Sequence, residues 1–223
     1  MSLLDVADHH LRTPVMAAKP IVFVVDDDIS VRESLELLIR DQGWAPLLFA
    51  SARDFIARKS VSVPSCVVLD VNLPDLSGLD LQQQISGASS ISPIIFVTGY
   101  ADIPMSVRAM KAGAVEFLSK PFDEDTIVEA IRSALHKSEM MLAQEIERGA
   151  LRDRFAALSK REREVMALVV RGLMNKQVAG DLNISEITVK AHRGRVMRKM
   201  QARTFVGLVN MANELGMRTG SKA

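Results

Sequence analysis

SCVVLD (65–70) runs directly into VNLPDLSG (71–78): an apolar stretch ending on an acid, a loop containing Pro74, and Gly78 opening a helical pattern. A run with no regular polar position has no face for solvent, as expected of a strand buried on both sides of a parallel sheet. The same grammar recurs outward from this segment. IVFVV (21–25) ends in Asp26, Asp27 and Asp28, and APLLFA (45–50) precedes a short helix at Ala52–Arg58. PIIFVTG (93–99) carries Thr98, and AVEFLSK (114–120) ends at Lys120 before Pro121. Between them Val31, Leu35, Leu38 and Ile39 keep helical spacing up to Gly43, while Gly78–Ile85 and Met105–Ala112 read as further helices. A helix also starts after Pro121. Strands alternating with helices predict an α/β doubly wound five-stranded parallel sheet.

Phe122–Arg148 contains neither Gly nor Pro, and Val128, Ile131, Leu135, Leu142 and Ile146 recur near a helical period. One helix of about 27 residues, roughly 40 Å long, fits this stretch. A shorter helix followed by a flexible charged linker fits it equally. Beyond Ala150 the strand pattern disappears and the remainder reads as all-α. The expected organisation is a flexible leader at 1–19, an α/β domain at 20–137, a helical linker at 138–154 and a four-helix domain at 155–220.

Charge follows that division. The 223 residues carry a formal net charge of +1. Residues 1–140 hold 12 Lys/Arg against 19 Asp/Glu, a net of −7, and residues 141–223 hold 16 against 8, a net of +8. Opposite signs point to different partners, a cation for the first part and a polyanion for the second. No run of about 18 apolar residues is present and the first twenty lack an apolar core, so neither a membrane span nor a secretory signal is expected. The lone Cys66 excludes an intrachain disulfide and a structural zinc cluster. It is read as a packed core thiol in a cytoplasmic protein.

Ligands of open α/β sheets bind outside the carboxyl ends of the strands. The residues there are Asp26, Asp27, Asp28, Asp70, Thr98 and Lys120. With neighbouring strands about 4.8 Å apart, these side chains converge on one site. Clustered carboxylates repel unless a cation joins them, and a hydrated all-oxygen setting suits Mg2+. These residues resemble the receiver domain of two-component response regulators, through VVDDD (24–28), VVLDVNLPDLSG (67–78), FVTG (96–99) and FLSKPF (117–122). The resemblance covers residues 20–140. It implies that Asp70 accepts a phosphoryl group and that Asp26 and Asp27 support the metal. Asp27, Asp70 and the backbone carbonyl of Asn72 would ligate it. It further implies charge compensation by Lys120, a hydrogen bond from Thr98 to the phosphoryl group, a cis Lys120–Pro121 bond and an aromatic switch at Phe117. Phe117 as plain core is an equal alternative. A haloacid-dehalogenase-type phosphatase would also form an aspartyl phosphate, but needs an acid two residues after the nucleophile, where this chain has Asn72.

In the basic part, Ser159 and Glu162 have the spacing of a capping box. Lys176–Leu182 reads as a short helix, N-I-S (183–185) as a turn, and Ser185 as the cap of a third helix bearing Lys190, His192, Arg193, Arg195, Arg198 and Lys199. Ile187, Val189, Val196, Met197 and Met200 are expected to pack inward. Two helices joined by a tight turn, the second basic, predict a helix-turn-helix DNA reader. The segment resembles the LuxR-type helix-turn-helix in LSKREREV, NKQVA, LNISEITVKAH and RKM. Candidate DNA contacts are Asn175, Lys190, Ala191, His192, Arg193, Arg195 and Lys199, with Lys176, Ser185, Thr188 and Arg198 toward phosphates. Gly194 departs from relatives, which often place a longer side chain there. The last helix, Thr204–Leu215, is identified by resemblance as a dimer contact.

Taken together the chain resembles a NarL/FixJ-type response regulator rather than an enzyme. A sensor histidine kinase would phosphorylate Asp70, promoting a homodimer, through the Ser106–Leu118 face, that binds double-stranded promoter DNA; RNA polymerase is a further candidate partner, and no membrane is. A phosphate-independent, constitutively active regulator is the competing reading.

Overall fold

The computed structural model describes residues 19–86, 92–100 and 102–217; of the leader expected at 1–19, all but Lys19 lies outside them. Strands β1 (Ile21–Val25), β2 (Ala45–Phe49), β3 (Ser65–Asp70), β4 (Ile94–Thr98) and β5 (Glu116–Ser119) form one sheet in the order β2-β1-β3-β4-β5, with every pairing parallel. Helices α1 (Ile29–Asp41), α2 (Ala52–Ile56), α3 (Gly78–Ser86), α4 (Ile103–Lys111) and α5 (Glu124–Ala156) alternate with them. Side chains of successive strand residues point to opposite faces. Phe23, Val25, Val67, Leu69 and Phe96 therefore pack with Phe55, Leu81 and Ala109 on one side. Val22, Val24, Cys66, Val68 and Ile95 pack with Leu35, Ile39, Ile127 and Ile131 on the other. Cys66 is fully buried, and burial pushes its thiol far above the ordinary range, as expected of an inert core residue.

Several boundaries differ from expectation, three of them for a reason visible in the fold. The α4 helix begins at Ile103 rather than Met105, because Asp102 caps it by accepting from the Met105 amide at 2.6 Å. Strand β5 is shorter than 114–120, because the Ala114 amide still bonds the carbonyl of Ala109 in α4. The stretch after Pro121 is one helix, and Gly149 does not stop it: α5 runs to Ala156.

Tertiary contacts divide the chain into Met1–Leu142 and Ala143–Ala223, with the boundary inside α5. In the second unit, α6 (Lys160–Val169), α7 (Asn175–Leu182), α8 (Glu186–Met200) and α9 (Phe205–Glu214) enclose Val165, Met166, Val178, Val189, Val196, Met200 and Leu208, together with Leu151 of α5. The capping box at α6 forms as read. The Glu162 amide donates to Ser159 Oγ at 3.2 Å and the Ser159 amide to Glu162 Oε2 at 2.8 Å. Lys199, near the end of α8, adds an ion pair to Glu162 at 2.7 Å. The Lys199 ammonium and the Ser159 amide together lower the Glu162 carboxyl to about 2. A carboxylate held below its unfolded value stabilises the fold above that value and loses the contribution as pH falls through the folded one. Glu162→Gln keeps an acceptor for the Ser159 amide but loses the charge facing Lys199, and is thus expected to cost about 1 kcal/mol at neutral pH, the scale of a partly exposed ion pair. The gap to wild type should close as pH falls from about 4.5 toward 2. Denaturant unfolding midpoints across that range check this; a gap independent of pH would contradict it.

Candidate functional site

The sheet order brings the ends of β1 and β3 together, with β4 next to β3 and β5 next to β4. Asp26 is fully buried, Asp70 is 6% exposed and Thr98 is fully buried, whereas Asp27 faces solvent. One carboxylate oxygen from each of Asp26, Asp27 and Asp70 lies within 4.8 Å of the others. Lys120 Nζ reaches across to Asp26 Oδ2 at 2.6 Å and Asp70 Oδ2 at 2.8 Å. The Lys120–Pro121 bond is cis.

Electrostatics in this cluster are set by burial first. Desolvation raises the Asp26 carboxyl above its ordinary value, and neither the bond from Lys120 nor that from the Asp28 amide offsets it; Asp70 adds like-charge repulsion. For Lys120 burial acts to weaken the cation, but its bonds to Asp26 and Asp70 outweigh that and raise it. One ammonium among three carboxylates leaves an acid surplus, all of it on oxygen donors and open to water at Asp27. That donor set fits a hard divalent cation.

The supporting contacts divide the remaining work. Asp28, third in the acidic run, caps α1 by accepting from the Ser30 amide at 2.8 Å. The Asn72 amide donates to Asp70 Oδ1 at 2.9 Å, and Asn72 Nδ2 lies 3.4 Å from Thr98 Oγ1. Phe117 is half-buried, its ring centroid 6.1 Å from that of Phe96. Three residues escaped the sequence reading. Arg32 donates to the Asp26 carbonyl at 2.6 Å. Asp75 accepts from the amides of Ala52 and Arg53, at 3.2 and 2.9 Å, tying the loop after Asp70 to the start of α2. Gly78 lies so close to the backbone of Asp70 that a Cβ would sit 2.4 Å from its carbonyl oxygen. A glycine opening α3 right after a turn-rich loop was the available signal.

In the second unit α7 and α8 are joined by a turn in which Asn183 is left-handed, with φ 52°, and Ser185 caps α8 by accepting from the Thr188 amide at 3.1 Å. Ser185 and Thr188 also share a hydroxyl bond of 2.8 Å. Lys190, Ala191, Gly194, Arg195 and Arg198 are all exposed on α8, and Lys176 on α7. Three other candidates, Arg193, Asn175 and Lys199, are engaged within the domain. Arg193 donates to Asn175 Oδ1 at 2.6 Å and lies 5.7 Å from the Phe205 ring centroid. Lys199 bonds Glu162 and, at 3.1 Å, the Ala157 carbonyl. His192 is half-buried, its enclosed Nδ1 without a partner among the described residues. Ile187, expected in the core, is 82% exposed: it sits on the opposite side of α8 from Val189 and Val196.

Comparison with known proteins assigns both units. Residues 22–132 match the response regulator receiver domain, and residues 156–212 match the bacterial regulatory proteins of the luxR family. The chain is 48% identical to nodulation protein W of Bradyrhizobium diazoefficiens, over 90% of this chain and 88% of that one. It is 42% identical to response regulator protein TodT of Pseudomonas putida, over 87% and 86%. Among solved structures, response regulator StyR superposes with a TM-score of 0.74 at 45% identity, covering 88% of this chain and all of that one. Full-length FixJ from B. japonicum gives 0.53 at 39% identity, over 89% and 98%. The order of receiver and helix-turn-helix, together with these full-length matches, means that the chain belongs to the two-component response regulators that control transcription through a LuxR-type DNA-binding domain.

Proposed function

We propose that Asp70 is the phosphoacceptor and that a sensor histidine kinase is its donor. The observation that carries this is the placement of Asp70: nearly buried at the end of β3, oriented by the Asn72 amide and faced by Lys120 Nζ at 2.8 Å. A carboxylate oxygen of Asp70 attacks phosphorus, the phosphorus–nitrogen bond of the donor phosphohistidine breaks, and the imidazole leaves with a proton from water. Asp26, Asp27, Asp70 and the Asn72 carbonyl would hold Mg2+, which supplies charge neutralisation for the phosphoryl oxygens. Lys120 keeps its positive charge beside the new acyl phosphate, and the Thr98 hydroxyl turns to donate to it. Phe117, half-buried with its ring centroid 6.1 Å from that of Phe96, is the side chain that follows Thr98.

Phosphorylation then shifts the receiver toward a homodimer. The α4–β5 face fits that role, with Ile103 80%, Val107 44% and Met110 44% exposed. The dimer presents two α8 helices to promoter DNA, where Lys190, Arg195 and Arg198, with Lys176, Ser185 and Thr188, meet bases and phosphates; RNA polymerase is the onward partner. We take 20–137 as the receiver, 138–154 as the linker within α5 and 155–220 as the output domain. Among the described residues no helix is long and apolar enough to cross a membrane, in keeping with a cytoplasmic regulator. Acetyl phosphate and Mg2+ should convert the wild type, and not Asp70→Ala, to a species retarded in phosphate-affinity gels. Equal retardation of both would overturn the assignment.

A further inference from the structure

Ile187 is a side chain the domain does not use. It is the second residue of α8 and 82% exposed. At about 100° per residue, it lies within roughly 60° of Lys190, Ala191, Gly194 and Arg198 around the helix. All four are exposed. Ile187 therefore sits in the middle of the outward face, heading a strip of apolar and small residues, Ile187, Ala191 and Gly194, bordered by Lys190, Arg195 and Arg198. An aliphatic chain left in water contributes nothing to folding, since its stabilising effect comes from area removed from solvent. Gly194 repeats the point. A Cβ there would meet nothing within 4 Å, so the fold's own packing does not call for glycine, although glycine is disfavoured inside helices. Both residues are accounted for by what docks on this face.

Charge identifies the occupant. The cationic border matches the phosphate walls of a duplex, and the second helix of a helix-turn-helix enters the major groove with its N-terminal residues nearest the bases. The apolar feature on that groove floor is the thymine 5-methyl group. We infer that Ile187 packs on a thymine methyl and makes the chain select T at one position of its DNA site, while Gly194 lets the backbone of α8 approach the groove floor. The inference rests on the reading of α7–α8 as a DNA reader and names the chemistry that reader selects.

The test uses the full chain treated with acetyl phosphate and Mg2+ to select from a random pool of double-stranded oligonucleotides. The enriched duplex is resynthesised with each thymine in turn replaced by deoxyuridine, which deletes only the 5-methyl, and affinities are measured by fluorescence anisotropy. At one thymine, or a symmetric pair, the replacement should weaken wild-type binding about four-fold, the scale of one buried methyl. Ile187→Ala should bind the thymine and deoxyuridine duplexes equally, and Ile187→Val should keep the discrimination. Because the side chain is exposed, both variants should retain the wild-type unfolding midpoint. If duplexes are enriched but no thymine methyl matters, or Ile187→Ala keeps the full penalty, this inference fails and DNA binding stands. If no duplex is enriched, the DNA-reading role fails and takes the inference with it.

Discussion

Gly78→Ala is expected to slow phosphorylation of Asp70 by more than ten-fold and to destabilise the receiver by about 2 kcal/mol, as overpacking of backbone against backbone does. The added Cβ would lie 2.4 Å from the Asp70 carbonyl oxygen and 3.0 Å from Val71 Cα, neither of which is the end of a flexible side chain. The Gly78 amide also donates to the Val71 carbonyl at 2.9 Å, so α3 cannot simply swing away. The end of β3 must shift, and the Asp70 carboxylate moves out of line with Lys120 and Asp27. The half-time of acetyl-phosphate labelling and the denaturant midpoint together read both effects. A variant that labels at the wild-type rate would show that the loop absorbs the methyl without disturbing Asp70.

Lys120→Met acts on the same site through charge. It removes the cation that contacts both Asp26 and Asp70 and leaves two carboxylates, one fully buried, facing each other. Breaking a buried pair by deleting one partner typically costs about 3–5 kcal/mol. Lys120 is itself 20% exposed, so in chelator about 3 kcal/mol is expected. Mg2+ should restore more stability to the variant than to wild type, because the ion replaces the missing charge and no longer competes with an ammonium. The pH dependence has a definite sign. Burial already raises the Asp26 carboxyl, and loss of Lys120 raises it further. A carboxyl whose folded value is raised favours the folded state at low pH and loses that advantage as pH rises through the folded value. The deficit of the variant should therefore shrink on going from neutral to mildly acidic pH. Equal midpoints with and without Mg2+, or a deficit that grows in acid, would contradict this account.

Much of the receiver was legible because its signals are local. The three central strands announce themselves as buried apolar runs leading to Asp26, Asp70 and Thr98, and the edge strand β5 leads to Lys120. Asp28 was less legible, since an acid at a strand end and an acid at a helix N-cap look alike in sequence; the bond from the Ser30 amide distinguishes them. The role of Asp75 was hidden because its partners, Ala52 and Arg53, lie more than twenty residues away and offer only backbone amides. On α8, Ile187 was misplaced because it was grouped with valine and methionine by residue type, although at about 100° per residue the helix turns it away from Val189 and Val196.

Element types, their order and the residue types at the strand ends are legible in the chain alone, since hydrophobic period and turn chemistry act over a few residues. So is the separation of acid from base between the two parts of the chain. The bridge from Lys120 to Asp26 and Asp70, across 94 and 50 residues, is instead a product of the packed fold. The fold alone withdrew Arg193 and Lys199 into contacts with Asn175 and Glu162. Those outcomes depend on which faces meet when sheet and helices pack. Packing couples residues far apart in the chain, where no local period carries the information.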